Sequence, residues 1–79
     1  MRVDKFLKVS RIIKRRTIAN EACDAGRVMV NGKVVKAGTE VKEGDIIEIA
    51  FGSNTTKVEV LSLRESTRKE DAVHMYRAI

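Results

Sequence analysis

The sequence lacks proline and tryptophan, and it has a single cysteine and a single histidine among its 79 residues. One cysteine cannot form a disulfide within the chain, and Cys23, His74 and scattered carboxylates are a poor ligand set for Zn²⁺. No apolar run approaches the ~20 residues of a membrane span. The first residues include Arg2, Asp4 and Lys5 where a signal peptide would be apolar. We therefore expect a cytoplasmic protein without a membrane partner.

The residues typical of catalytic sites are also scarce. A domain below about 80 residues has little spare stability for a strained active-site pocket. His74 has no neighbouring hydroxyl and carboxylate to complete a triad. Cys23, beside small apolar residues, is predicted to be a buried thiol. We expect a binding protein with no enzymatic activity, no cofactor and no metal ion.

Positive charge is concentrated in the first half of the chain. The sequence has 16 Lys and Arg against 11 Asp and Glu, which gives a net charge of +5. Residues 1–36 contain ten basic and three acidic side chains, whereas residues 37–79 contain six and eight. Such an uneven distribution of charge along the chain favours a polyanionic partner. A solvated basic face without a partner would give the same composition, so charge alone does not decide between this face and a nucleic-acid partner.

Two short helices are predicted at the start of the chain. Val3 and Leu7 fall on one face of a helix over the first ten residues, and basic side chains occupy another face. Residues 11–16 form a connector. Thr17 is the expected N-cap of a second helix, because its hydroxyl can accept a hydrogen bond from the first turn. This helix should end at Gly26, which tolerates a left-handed backbone.

A small antiparallel sheet is predicted to follow the helices. Asn31-Gly32 lies between two Val-rich runs, which is the strongest short-range signal for a β-hairpin with a type I′ turn. Two further strands are expected at residues 46–51 and 57–60, where apolar residues recur.

A last helix is predicted over about residues 68–79, because Thr67 and Glu70 fit a capping box. The fold class is therefore α+β, with two short N-terminal helices packed on a small antiparallel β-sheet and a C-terminal helix. We expect residues 1–65 to form one domain. Residues 66–79 would be a helical tail that packs on this domain or extends from it.

The candidate binding site lies at the junction of the two predicted helices. Three cations directly precede the second helix, whose N-terminal N–H groups and dipole favour phosphate. Side-by-side packing of the helices would add two cations, and one more would extend the surface toward the hairpin. The six are Arg2, Lys5, Lys14, Arg15, Arg16 and Arg27. Because the chain has few aromatic residues on which bases could stack, such a surface should recognise the backbone and the shape of folded nucleic acid.

Two other partners fit the sequence less well. A DNA-reading helix needs side chains that hydrogen-bond to base edges, and the acidic Glu21 and Asp24 make the second helix ill suited to this role. A membrane-surface helix would be longer and would carry Trp or Phe beside its basic residues.

A series of motifs, in this order, resembles the RNA-binding domain family named after ribosomal small-subunit protein four. The motifs cover about residues 1–51: Arg2–Leu7, Ser10-Arg11, Lys14–Thr17, Ala22–Val28, Val30–Gly32 and Val41–Asp45. The resemblance implies a fold of two helices on a small antiparallel sheet, with the helices and their connector against structured RNA.

The resemblance also implies roles for individual residues. The positions that match the family's RNA-facing motif are Arg2, Lys5, Lys14, Arg15, Arg16, Thr17, Asn20 and Arg27. Asp4 is expected to orient neighbouring cations, because a carboxylate is a poor phosphate ligand. Asn20 departs from the Lys or Arg that many members carry at this position.

A stand-alone domain with a short tail is similar to two bacterial groups within this family. Resemblance to the ribosome-quality-control group, favoured by the ending Ala72–Tyr76, implies binding to obstructed large ribosomal subunits. It also implies contacts with large-subunit ribosomal RNA and P-site tRNA, and support for a partner protein that adds C-terminal alanine tails to stalled chains. The heat-shock group instead recycles free large subunits that carry peptidyl-tRNA. A general structured-RNA-binding module is the remaining alternative. In each case we expect a monomer.

Overall fold

The computed structural model describes residues 1–63 and 69–79 of the chain. Its fold class is α+β, as predicted, with two helices and a five-stranded antiparallel sheet. The elements follow in the order α1 Val3–Val9, α2 Arg16–Asp24, β1 Val28–Val30, β2 Lys33–Val34, β3 Ile46–Phe51, β4 Asn54–Val60, a short α3 Lys69–Ala72 and β5 Tyr76–Ala78.

The sheet has the strand order β2-β1-β3-β4-β5. Asn31 and Gly32 connect β1 to β2 with φ values of 52° and 83°, and Val30 is paired with Lys33. Positive φ at both central residues confirms the predicted type I′ turn. The β3–β4 hairpin is tighter than predicted, because pairing begins already at Phe51 and Asn54.

The core lies between the two helices and one face of the sheet. Alternate residues of β1, β3 and β4 are buried on that face, as expected for strands with one covered side. They form a single cluster with residues from both helices: Val3, Phe6, Leu7, Ala19, Cys23, Val28, Val30, Ile47, Ile49, Val58 and Val60. Cys23 is therefore a buried thiol, as predicted.

The opposite face of the sheet carries cross-strand ion pairs. Lys57 Nζ lies 3.6 Å from Glu48 Oε1, and the two residues are directly opposite each other on β4 and β3. Arg77 Nε lies 2.6 Å from Glu59 Oε1 across β5 and β4. These cations are held on the sheet by neighbouring carboxylates, so they serve as controls for the cations of the helices.

The predicted C-terminal helix over residues 68–79 is wrong. Helix α3 has four residues, and the chain then returns as β5, which pairs with β4. Leu61 N donates to Met75 O at 2.8 Å, and the Met75 side chain is buried. Backbone pairing along β4 and burial of Met75 outweigh a helical periodicity that spans few turns. Thr67 of the expected capping box lies outside the described residues, and the division at residue 65 stays a prediction.

None of the helices in the described ranges is long and apolar enough to cross a membrane.

Candidate nucleic-acid interface

The backbone around Arg2 is fixed by a neighbouring loop. Arg2 forms an isolated antiparallel bridge with Glu40, and Val3 N donates to Thr39 O at 2.7 Å. On the other side of the bridge, Val41 N donates to Met1 O at 3.0 Å. Arg2 is also the N-cap residue of α1. The start of α1 is therefore held on both sides, which gives the Arg2 side chain a defined origin.

A tight connector links α1 to α2. Arg11 has a positive φ of 63° directly after the C-cap of α1, a conformation that is uncommon outside glycine. Ile13 N donates to Leu7 O at 3.0 Å, and the Ile13 side chain is buried. These contacts fold the connector back onto α1, so the first turn of α2 lies beside the first turn of α1.

The prediction of Thr17 as the N-cap of α2 is wrong. The helix begins at Arg16, its N-cap residue is Arg15, and no side chain caps its first turn. The anchored connector reaches helical geometry two residues earlier than the sequence pattern indicated. Thr17 thus lies inside the first turn, and its hydroxyl has no hydrogen-bond partner within the described residues.

Asp4 is the centre of the site. It is 1% exposed. Three side chains converge on its carboxylate, one from the N-cap of α1 and two from α2. Arg2 Nε lies 3.2 Å from Asp4 Oδ1, and Arg16 Nε lies 3.4 Å from Oδ2. Asn20 Nδ2 also donates to Oδ2 at 3.4 Å, and the Lys5 N–H donates to Oδ1 at 2.8 Å. Asp4 thus contacts two of the cations that it was expected to orient, and its orienting role stays a prediction.

The surroundings of Asp4 favour its ionised form. Burial alone would raise the pKa of this carboxyl group. The hydrogen bonds from Asn20 and the Lys5 N–H, together with the Arg16 and Arg2 charges, outweigh burial and hold the pKa below its ordinary value of 3.8. At neutral pH a buried anion therefore lies beneath two guanidinium groups.

These side chains surround an open cleft of about 430 Å³ between the N-terminal turns of the two helices. Its lining residues are Arg2, Asp4, Arg16, Thr17, Asn20 and Glu21. Five of the six are residues that the sequence analysis assigned to the site. Glu21 was missed as a site residue, although its position four residues after Thr17 places both on one helical face.

The other predicted site residues lie around the cleft or away from it. Lys14 and Arg15 are exposed in the connector, immediately before α2. Lys5 is on α1, and its backbone N–H is one of the Asp4 donors. Arg27 follows α2 at its opposite end, and the helix from Arg16 to Asp24 alone spans roughly 12 Å at 1.5 Å per residue. Arg27 therefore does not join the cleft.

The described residues do not offer a reactive thiol or a metal centre. Burial, followed by the nearby Asp4 and Asp24 carboxylates, raises the pKa of the Cys23 thiol to about 11. A protonated, buried thiol is a poor nucleophile. The parts of the chain that the structure describes contain no group of three or more metal-ligating side chains. The side chains that line the cleft offer a ligand charge and hydrogen bonds.

Comparison with known proteins assigns the two helices and their connector to a known family. The model of the S4 domain family matches residues 1–47, which include α1, the connector and α2. The chain is 58% identical to the RQC P-site tRNA stabilizing factor of Halalkalibacterium halodurans, over 96% of this chain and 86% of that protein. It is 54% identical to the protein of that name from Streptococcus pneumoniae, over 100% and 90%.

The solved structures include a close match to the whole fold. Heat Shock Protein 15 of Vibrio cholerae, described as trimeric, superposes with a TM-score of 0.91 at 26% identity, over 100% of this chain and 81% of that one. The matching family model and the similarity to the curated relatives along nearly the entire sequence agree. The chain belongs to the S4 domain family, in the group of the RQC P-site tRNA stabilizing factors.

Proposed function

We propose that this protein binds large ribosomal subunits that are obstructed by a stalled nascent chain. It contacts large-subunit ribosomal RNA and holds the P-site tRNA in place. In doing so it supports a partner protein that adds C-terminal alanine tails to the stalled chain. The observation that carries the proposal is the pair of arginines over buried Asp4, inside the region that matches the S4 domain.

The Asp4 arrangement suits phosphate recognition. The Arg2 and Arg16 side chains remain 48% and 47% exposed while both bind Asp4. Each guanidinium has five N–H donors, so donors are left to form paired hydrogen bonds with a phosphate. Because the carboxylate already restrains both side chains, less conformational freedom is lost when RNA binds. Asp4 thus acts as a positioning residue.

The remaining cations extend this contact along the RNA backbone. Lys14 and Arg15 are exposed beside the first turn of α2, where the helix dipole also favours an anion. We assign further RNA contacts to Lys5, Thr17, Asn20 and Arg27. Contacts of this kind recognise the shape of folded RNA. The protein needs no enzymatic activity or cofactor for this role, and it acts in the cytoplasm as a monomer.

Purified large subunits carrying a P-site tRNA provide the test. In co-sedimentation, Arg16→Ala should weaken binding about tenfold, the worth of one charge-assisted hydrogen bond. Arg77→Ala is the matched control, because Arg77 is also paired with a carboxylate but lies on β5. Its binding should equal that of the wild type. If Arg16→Ala binds subunits as tightly as the wild type and Arg77→Ala do, the assignment of the site is overturned.

Pulling the tagged protein from cells tests the choice of RNA. Large-subunit RNA and tRNA should be recovered together, and recovery of messenger RNA or of no RNA would contradict the proposal. The monomer is tested by light scattering, where a trimer would contradict it.

A role in recycling free large subunits is the second candidate, and the superposition on Heat Shock Protein 15 favours it. Alanine tails distinguish the two roles. If the first proposal holds, tails on stalled chains disappear in cells that lack this protein and return with the wild type but not with Arg16→Ala. Tails that persist without the protein would favour recycling.

A further inference from the structure

The cleft over Asp4 combines donors with acceptors that have no partner. Glu21, Thr17 and Asn20 line the cleft. The Glu21 carboxylate, the Thr17 hydroxyl and the Asn20 Oδ1 atom have no hydrogen-bond partner within the described residues. The Thr17 hydroxyl could also donate to a phosphate, but the Glu21 carboxylate and the Asn20 Oδ1 atom only accept hydrogen bonds. A surface that bound phosphate alone would gain nothing from these two acceptors, and Glu21 would repel the anion. The lining therefore fits a ligand that carries hydrogen-bond donors as well as negative charge.

The orientation of the Asn20 amide follows from its contact with Asp4. An ionised carboxylate only accepts hydrogen bonds, so the Asn20 atom 3.4 Å from Asp4 Oδ2 must be the donor Nδ2. This leaves Oδ1 as the free acceptor. The amide is half-buried and its donor end is occupied, so Asn20 presents an acceptor at a defined position.

The cleft has the size and the polarity of a nucleotide site. Its volume of about 430 Å³ lies within the ~300–1,000 Å³ of small-molecule pockets. Arg2 and Arg16 supply donors for phosphate, and a guanidinium plane can also stack on a base. We propose that the cleft accepts one unpaired RNA nucleotide, with its phosphate on Arg2 and Arg16 and its base donating hydrogen bonds to Asn20 and Glu21. This inference rests on the proposed RNA-binding function and names the part of the RNA that enters this site.

Guanine fits these acceptors best among the four bases. Its N1–H and N2–H₂ groups are adjacent donors, and together they match the two oxygens of a carboxylate. Cytosine and adenine each present one amino group, and uracil presents a single N–H. A paired base has these donors occupied, so the nucleotide must be extruded from its helix, as in RNA bulges and loops.

Titration of the ¹⁵N-labelled full chain with the four nucleoside 5′-monophosphates tests the inference. Guanosine monophosphate should shift the Asn20 side-chain amide signals and the backbone signals of α2. Its dissociation constant should be about fivefold or more below those of the other three, as expected for a bidentate base contact. Equal constants for the four nucleotides, shifts confined to other surfaces, or no binding by any of them would overturn the inference.

Two variants separate base recognition from charge. Glu21→Gln and Asp24→Asn each remove one negative charge from α2, but of the two residues only Glu21 lines the cleft. Glu21→Gln should lose the preference for guanosine monophosphate, and Asp24→Asn should keep it. A preference that survives in Glu21→Gln would contradict the assignment of this residue.

Co-sedimentation of the wild type with large subunits distinguishes failure of the base site from failure of the proposed function. If the wild type binds subunits but does not discriminate among the nucleotides, the proposed base site is refuted and the proposed function is not. No subunit binding by the wild type removes the proposed function itself, whatever the nucleotides show.

Discussion

Replacing Asp4 with asparagine should weaken RNA binding even though the protein becomes more positive. The substitution raises the net charge from +5 by one unit, so attraction by charge alone would tighten binding. Without the carboxylate, Arg2 and Arg16 lose the contact that orients them. Ordering a long side chain at an interface costs about 0.5–1.5 kcal/mol. For two arginines, less the gain in charge, we expect a loss of about tenfold in affinity.

The same substitution should also lower the stability of the fold. Asp4 is buried, but both guanidiniums are about half exposed and water can replace part of the lost contact. Because an amide oxygen can still accept the Lys5 N–H, we expect a loss of about 2 kcal/mol, between a neutral and a charged hydrogen-bond deletion. For a domain of this size, that is about 8–16 °C in Tm.

The contribution of Asp4 to the free energy of unfolding should depend on pH in a defined direction. The pKa of Asp4 is lowered in the folded state, so its stabilising effect is present above the ordinary value of 3.8 and is lost as the pH falls through the folded value. The difference in unfolding free energy between wild type and Asp4→Asn should be constant near neutrality and shrink below about pH 4.

Fluorescence anisotropy with labelled tRNA measures the affinity, and thermal unfolding measures the stability. Glu59→Gln is the matched control, since it makes the same change of charge beside Arg77 on the sheet. Its RNA affinity should stay equal to the wild type or rise slightly. If Asp4→Asn binds RNA as tightly as Glu59→Gln, Asp4 does not position the arginines.

Three further substitutions or treatments test the fold. Gly32→Val places a β-branched residue at a φ of 83° and should cost about 1–3 kcal/mol in urea unfolding; an unchanged midpoint would contradict the turn. Met75→Ala should cost about 2–4 kcal/mol, because the side chain is 2% exposed, and a negligible loss would show that the C-terminal segment is not part of the core. Cys23 should react with iodoacetamide at neutral pH roughly 100-fold more slowly in the native state than in urea, and equal rates would contradict its burial and raised pKa.

The parts of the fold that the sequence predicts correctly are those that local interactions determine. Asn31-Gly32 favours a type I′ turn by its own backbone preferences, and Gly26 closes α2 with a φ of 75°. The periodicity of Val3 and Leu7 identifies the buried face of α1 without knowledge of what covers it. In each case the deciding residues are close together in the sequence.

The errors arise where distant residues decide the structure. Tyr76 becomes a strand residue because β4 offers an unpaired edge, and its partner Val60 is sixteen residues away. The start of α2 is set by the hydrogen bond between Ile13 and Leu7, so the capping signal at Thr17 misplaces it. The cations of the site follow from charge pattern and resemblance, but the place of Glu21 in the cleft depends on how α1 and α2 pack.

The central claim is that RNA contacts are confined to the two helices, their connector and the residues that directly flank them, and the salt dependence of tRNA binding tests it most directly. If about five of the six cations contact phosphates, the slope of log affinity against log salt should lie near −3.5 to −4.5. The six are Arg2, Lys5, Lys14, Arg15, Arg16 and Arg27. Arg15→Ala should reduce the slope by somewhat under one unit, whereas Lys57→Ala, on the opposite face of the sheet, should leave it unchanged. Equal flattening by Arg15→Ala and Lys57→Ala would show a diffuse attraction and contradict a localised RNA surface.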